Sequence, residues 1–191
     1  MNRVEIVLAS ASPRRQELLR QVGIAFRVRP SNVDEQVSEP MAPYQLVEHL
    51  ALIKARDVAA HTPGAIVLGA DTIVVVDGRV LNKPKDRDDA LAMLELLSGR
   101  SHQVMTGVAV VTPGGEQVAH EVTDVHFMPL TRGQIERYVD SGEPMDKAGA
   151  YGIQGRASAM IHAIQGDYFT VVGLPLCRTV QMLAAAGVDV L

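Results

Sequence analysis

Ala65-Ile66-Val67-Leu68-Gly69-Ala70-Asp71-Thr72-Ile73-Val74-Val75-Val76 is the most apolar stretch of the chain, and Asp77-Gly78 parts it from Val80-Leu81. A long β-branched run of this kind predicts a buried strand. Asp77 and Gly78 both tolerate positive φ, so the two apolar runs predict a β-hairpin. Gly69 inside the run marks a bulge or a close approach of another backbone. Asp71 is what an apolar strand does not explain, because an unpaired buried carboxylate is costly. Asp71 and Thr72 are therefore expected to turn toward a ligand. A turn between two strands is the alternative at this position.

Working outward, residues 4–8 read as a strand, 9–12 as a turn and 14–22 as a helix with Leu18, Leu19 and Val22 on one face. Ser12 suits the N-cap and Pro13 the first helical position, where proline loses no N–H bond. Residues 26–29 predict a second strand, 30–35 an acidic loop and 43–60 a long helix with Leu46, Val47, Leu50, Ile53 and Val58 inward. Beyond the hairpin, Asp86 caps a helix running to Leu97. Strands follow over 104–112 and 117–128, then a helix over 131–139 capped by Thr131. Residues 142–155 form a glycine-crowded loop, 169–172 a short strand and 175–186 the closing helix. Strands and helices alternate around one extended sheet, which predicts an α/β or α+β chain.

Of 191 residues, 47% are hydrophobic and 21% charged, so a core of Leu, Val, Ile, Ala and Met is affordable and disorder is excluded. Lys and Arg number 18 against 22 Asp and Glu, a net charge of −4, which argues against a nucleic-acid-coating protein. An anionic ligand then needs a local positive pocket. The single Cys177 cannot form an internal disulfide, no run reaches membrane-spanning length, and residues 1–12 lack signal-peptide features. A cytoplasmic protein without membrane contact is expected.

Ser10, Ser12, Arg14 and Arg15 meet at a strand-to-helix junction, where hydroxyls, guanidiniums and the helix N-terminal N–H groups all favour phosphate. A plain capped helix with two solvated arginines is the alternative. Two arginines in a first turn, however, oppose the helix dipole. Neither a Walker loop nor G-x-G-x-x-G occurs. Lys54, Lys83 and Lys85 are further candidate phosphate cations, and Glu35 beside Asp34 suits a magnesium ion shared with substrate phosphates. Gln154, between Ile153 and Gly155, carries an amide that both donates and accepts, as the edge of uracil or thymine requires. The six histidines show no zinc spacing and no G-x-S-x-G elbow exists.

In order, residues 10–15 (SASPRR), 32–35 (NVDE), Lys54, 69–72 (GADT), Asn82-Lys83-Pro84, 146–155 (DKAGAYGIQG) and 171–176 (VVGLPL) resemble the Maf family of nucleotide pyrophosphatases over nearly the whole chain. The resemblance implies a mixed, extended twisted sheet flanked by helices. This is the fold of the inosine triphosphate pyrophosphatases and Ham1 proteins, with a cleft between two lobes, here as one domain over 1–191. It also implies cleavage of a nucleoside triphosphate to the monophosphate and pyrophosphate, a divalent metal (Mg²⁺ or Mn²⁺) and commonly a homodimer. Arg14, Thr72 and Gln154 together resemble the subgroup acting on dTTP and UTP. On this reading Glu35 and Asp71 hold the metal and Asp71 is the general base. Arg14, Lys54 and Lys83 meet the phosphate charge, and Gln154 reads the pyrimidine O4 and N3–H. The alternatives are another modified nucleotide such as 7-methyl-GTP, or a nucleotide-sensing regulator of septum formation.

Overall fold

The computed structural model describes residues 4–190; Met1, Asn2 and Arg3 of the N-terminal stretch read above lie outside them, as does Leu191. In chain order the elements are β1 (Ile6–Leu8), α1 (Pro13–Gln21), β2 (Arg27–Val28), α2 (Pro43–Ala59), β3 (Ile66–Val76) and β4 (Arg79–Leu81). They continue with α3 (Arg87–Leu97), β5 (Ser101–Thr112), β6 (Gly115–Phe127), α4 (Arg132–Asp140), β7 (Ile161–Gln165), α5 (Tyr168–Val172) and α6 (Leu176–Ala185). Short 3₁₀ turns occupy Glu143–Asp146, Ala148–Ala150 and Arg156–Ala159. The seven strands form one mixed sheet in the order β2-β1-β3-β5-β6-β7, with β4 pairing β3 off this path. The fold is mixed α/β, as expected.

The chain divides into two compact units. The first holds the residues up to Asp71, Thr106–Glu121 and those from Gly173 onward. In it β1 lies parallel to both β2 and β3, with Val7 opposite Arg27 on one side and Val67 on the other. Helix α2 starts at Pro43, and the Gln45 side chain accepts the Ala42 N–H at 3.2 Å. Its small residues Ala51 and Ala55 pack with Val7, Ala9, Val67 and Ala109 in one buried cluster.

The second unit holds Thr72–Met105 and Val122–Val172. The hairpin forms as the sequence requires, with Asp77 and Gly78 at φ 50° and 72° and Val75 opposite Val80. Asp86 caps α3 by accepting the Asp89 N–H at 2.8 Å. Thr131 and Gln134 form a reciprocal capping box on α4. The core gathers Val74, Leu91, Leu94, Val125, Phe127, Ile135 and Tyr151.

Two elements differ from the pattern reading. Residues 169–172, expected as a strand, belong to α5. Although Thr170-Val171-Val172 is β-branched, the Asp167 carboxylate accepts the Thr170 N–H at 2.6 Å and starts a helical turn. The strand in this region is β7, whose residues alternate poorly in polarity. Its strand identity comes from antiparallel pairing with β6, His126 opposite Ala163, through an irregularity between His126 and Phe127.

Candidate active site

Strand β3 runs unbroken through Asp71, which excludes the alternative of a turn there. Gly69 shows the physical reason for its place. A Cβ on it would lie 2.3 Å from the Ala51 carbonyl oxygen and 3.0 Å from the Ala55 Cβ, so only glycine lets α2 approach the sheet this closely. Lys54 stands on α2 between those two alanines. The close approach brings its ammonium 2.7 Å from Asp71 Oδ1, and Glu35 Oε1 lies 3.2 Å from the same nitrogen.

The side chains of Lys54 and Asp71 are each 13% exposed, whereas that of Glu35 is 55% exposed. Burial drives the Asp71 carboxyl above the usual carboxylate range. Lys54 and, more weakly, Arg15 pull it back, while Glu35 adds to the rise. Asp71 is thus a carboxylate of raised basicity, with the Lys54 ammonium as the main group favouring its ionised form. Asp71 and Glu35 converge on a single cationic centre, here the ammonium. Two carboxylates of this kind fit a hard divalent ion that completes its shell with phosphate oxygens and water. No cluster of three or more His, Cys, Asp or Glu suited to a metal occurs among the described residues.

The loop carrying Glu35 is anchored by a residue the sequence reading passed over. Asp57, one helical turn beyond Lys54 on α2, accepts from Ser31 Oγ at 2.8 Å and from the Asn32 N–H at 3.0 Å. Those bonds hold its pKa low. An acid three residues from a candidate lysine is the signal that was present.

At the start of α1, Ser12 Oγ accepts the Arg15 N–H at 3.4 Å as an N-cap. Ser10 is buried, and its Oγ accepts both the Ser12 N–H at 3.2 Å and Arg15 Nη1 at 3.1 Å. Arg15 Nε donates to the Gly173 carbonyl at 2.7 Å. Burial lowers the Arg15 pKa, and Asp71 opposes that fall. One of the two arginines that oppose the helix dipole therefore braces the junction, and the half-buried Arg14 stands beside it.

Thr72, Lys83 and Gln154 belong to the second unit. Thr72 follows Asp71 on β3 and is half-buried, while Lys83 lies exposed just after β4. Gln154 is exposed in a turn over residues 152–155 that the Gly155 N–H closes on the Gly152 carbonyl at 3.2 Å.

The profile of the Maf-like protein family matches residues 5–186, and the chain belongs to that family. Among curated relatives, a dTTP/UTP pyrophosphatase of Symbiobacterium thermophilum is 66% identical over 96% of this chain and 94% of its own length. One of Moorella thermoacetica is 56% identical over 97% of both chains. One of Bacillus pumilus is 46% identical over 96% of this chain and 97% of its own. Among solved structures, a HAM1 protein from Coxiella burnetii superposes with a TM-score of 0.53 at 22% identity, covering 96% of this chain and 100% of that one. The Staphylococcus aureus Ham1 protein gives 0.54 at 13% identity over the same shares. These two likenesses establish the fold.

Proposed function

We infer that this chain is a nucleoside triphosphate pyrophosphatase that hydrolyses dTTP and UTP to the nucleoside monophosphate and pyrophosphate, a house-cleaning activity on the nucleotide pool. The relatives named dTTP/UTP pyrophosphatase, matched over nearly full length, support the reaction. The observation that carries the chemistry is the buried Asp71 held 2.7 Å from Lys54 beside Glu35.

In this reading the phosphates are taken by Arg14, the N–H groups at the start of α1 and Lys54, with Lys83 as a further cation. Ser10, Ser12 and Arg15 hold that turn in shape. Asp71 accepts a proton from water as the water oxygen attacks the α-phosphorus; the bond to the β-phosphate breaks and pyrophosphate leaves. Glu35 and Asp71 are the residues that would hold Mg²⁺ or Mn²⁺, which supplies charge neutralisation on the triphosphate and acidifies water when bound. Gln154 reads the base edge, accepting from N3–H and donating to O4. Cytosine presents the opposite pattern and leaves the amide unpaired, so it is rejected.

No helix among the described residues is long and apolar enough to cross a membrane. An activity on the nucleotide pool supports a cytoplasmic location, and the homodimer implied by the family is checked by light scattering. The deciding experiment is pyrophosphate release from dTTP, UTP, CTP, dATP, GTP, ITP and 7-methyl-GTP, with Mg²⁺ or Mn²⁺ and an EDTA control. Preference for dTTP and UTP is expected. Preference for a purine would overturn the role of Gln154, and no release from any of them would favour nucleotide sensing over turnover.

A further inference from the structure

The turn over residues 152–155 is clamped on both sides by groups that none of the proposed chemistry uses. On one side the Gly152 N–H donates to the Tyr138 hydroxyl at 3.3 Å. On the other the Arg156 N–H donates to Glu143 Oε2 at 3.1 Å. The two clamps are one network, because the Tyr138 hydroxyl donates to Glu143 Oε1 at 2.9 Å. Tyr138, on α4, is 5% exposed in the core of the second unit, and the Glu143 carbonyl is held by Lys147 Nζ at 2.8 Å. The backbone lies tight on the carboxylate: a Cβ on Gly155 would fall 2.3 Å from Glu143 Oε1. A half-buried carboxylate that accepts from a hydroxyl and a backbone N–H forms charge-assisted bonds, the stronger class.

We propose that Glu143 is a positioning residue for base selection: with Tyr138 it holds the turn over residues 152–155 in one conformation, so that Gln154 presents its amide to the uracil or thymine edge. The inference rests on Gln154 as the reader of the base. Discrimination by a hydrogen-bonding edge depends on a preset geometry, and a turn released from its clamp lets the amide swivel to satisfy the wrong base as well. Loss of the clamp therefore erodes selectivity, and does so mainly through KM.

The test compares kcat and KM for UTP and CTP in the wild-type chain, Glu143→Ala, Glu143→Gln and Tyr138→Phe, each checked for folding by far-UV circular dichroism. Glu143→Ala is expected to lower the UTP-to-CTP ratio of kcat/KM about tenfold or more, carried by KM for UTP, with kcat within about threefold. Glu143→Gln keeps an acceptor for the Arg156 N–H and a donor toward Tyr138, and should restore the ratio to within about threefold of wild type. Should Glu143→Ala not fold, Tyr138→Phe carries the test, since it unlinks Gly152 from Glu143 while keeping the ring. A ratio unchanged in the folded variants overturns this inference alone. A wild-type chain that does not prefer UTP overturns the reading of Gln154 beneath it, and both fall.

Discussion

At Asp71 burial and charge pull in opposite directions: the core of the first unit favours a neutral carboxyl, and the Lys54 ammonium at 2.7 Å favours the carboxylate. A base must be ionised to act, so activity is expected to fall as pH drops through a value above the ordinary carboxylate range. Lys54→Met removes the main group holding that value down, so the acid limb of the kcat/KM profile should move to higher pH. A limb that stays in place or moves lower would contradict the pairing. Asp71→Asn should abolish turnover while the fold and metal-free dTTP binding, measured in EDTA, are largely kept. The Lys54 ammonium is not left unpaired in this variant, because Glu35 Oε1 stays 3.2 Å from it and the Asn amide keeps an acceptor oxygen. Near-normal turnover in that variant would rule out Asp71 as the base.

The pairing of Lys54 with Asp71 is a property of two elements, α2 and β3, and of the gap between them. Gly69 sets that gap, since the Ala51 carbonyl oxygen fills the space a side chain would need. Gly69→Ala is expected to cost about 1–3 kcal/mol or more by overpacking, seen as a lower urea midpoint. It should also lower kcat/KM, because α2 must retreat and take Lys54 with it. The second link between these elements is Asp57, which ties the Ser31-Asn32 backbone to α2 and so fixes the base of the Glu35 loop. The same logic separates the two arginines: Arg15 is bound into the junction by Gly173 and Ser10.

Over the whole molecule, stability depends on pH through His102, which is 3% exposed in the core of the second unit. Its Nε2 lies 2.6 Å from the Tyr151 hydroxyl, and its buried Nδ1 has no hydrogen-bond partner among the described residues. Burial, with His126 adding and Asp124 opposing, lowers its pKa from 6.5 to about 4. The unfolded chain therefore binds a proton between pH 6.5 and 4 that the folded chain refuses, and stability must fall as pH drops through that window. The loss from this group reaches about 3 kcal/mol at the acid end. Urea unfolding at stepped pH should show this slope, and His102→Asn should flatten it; an equal slope in both would remove His102 as the cause.

The sequence by itself determined most of the elements and named the chemistry. An apolar run broken by one aspartate, a capped helix opening on Ser12 and Pro13, and an Asp-Gly hairpin are local features, because caps, turns and burial act within a few residues. It did not separate helix from strand at residues 169–172, where β-branched residues argue for a strand and a single cap at Asp167 decides otherwise. Nor did it disclose β7, whose identity lies in its pairing with β6. The distances that make residues into a site were decided by tertiary structure alone. Lys54 and Asp71 stand 17 positions apart, and the missing side chain of Gly69 is what lets their elements meet. Glu143 and Tyr138 likewise gain meaning only once the chain folds back to place the N–H groups of Gly152 and Arg156 against them. Sequence patterns record what each residue prefers, whereas hydrogen bonds across long separations depend on where packing leaves the backbone.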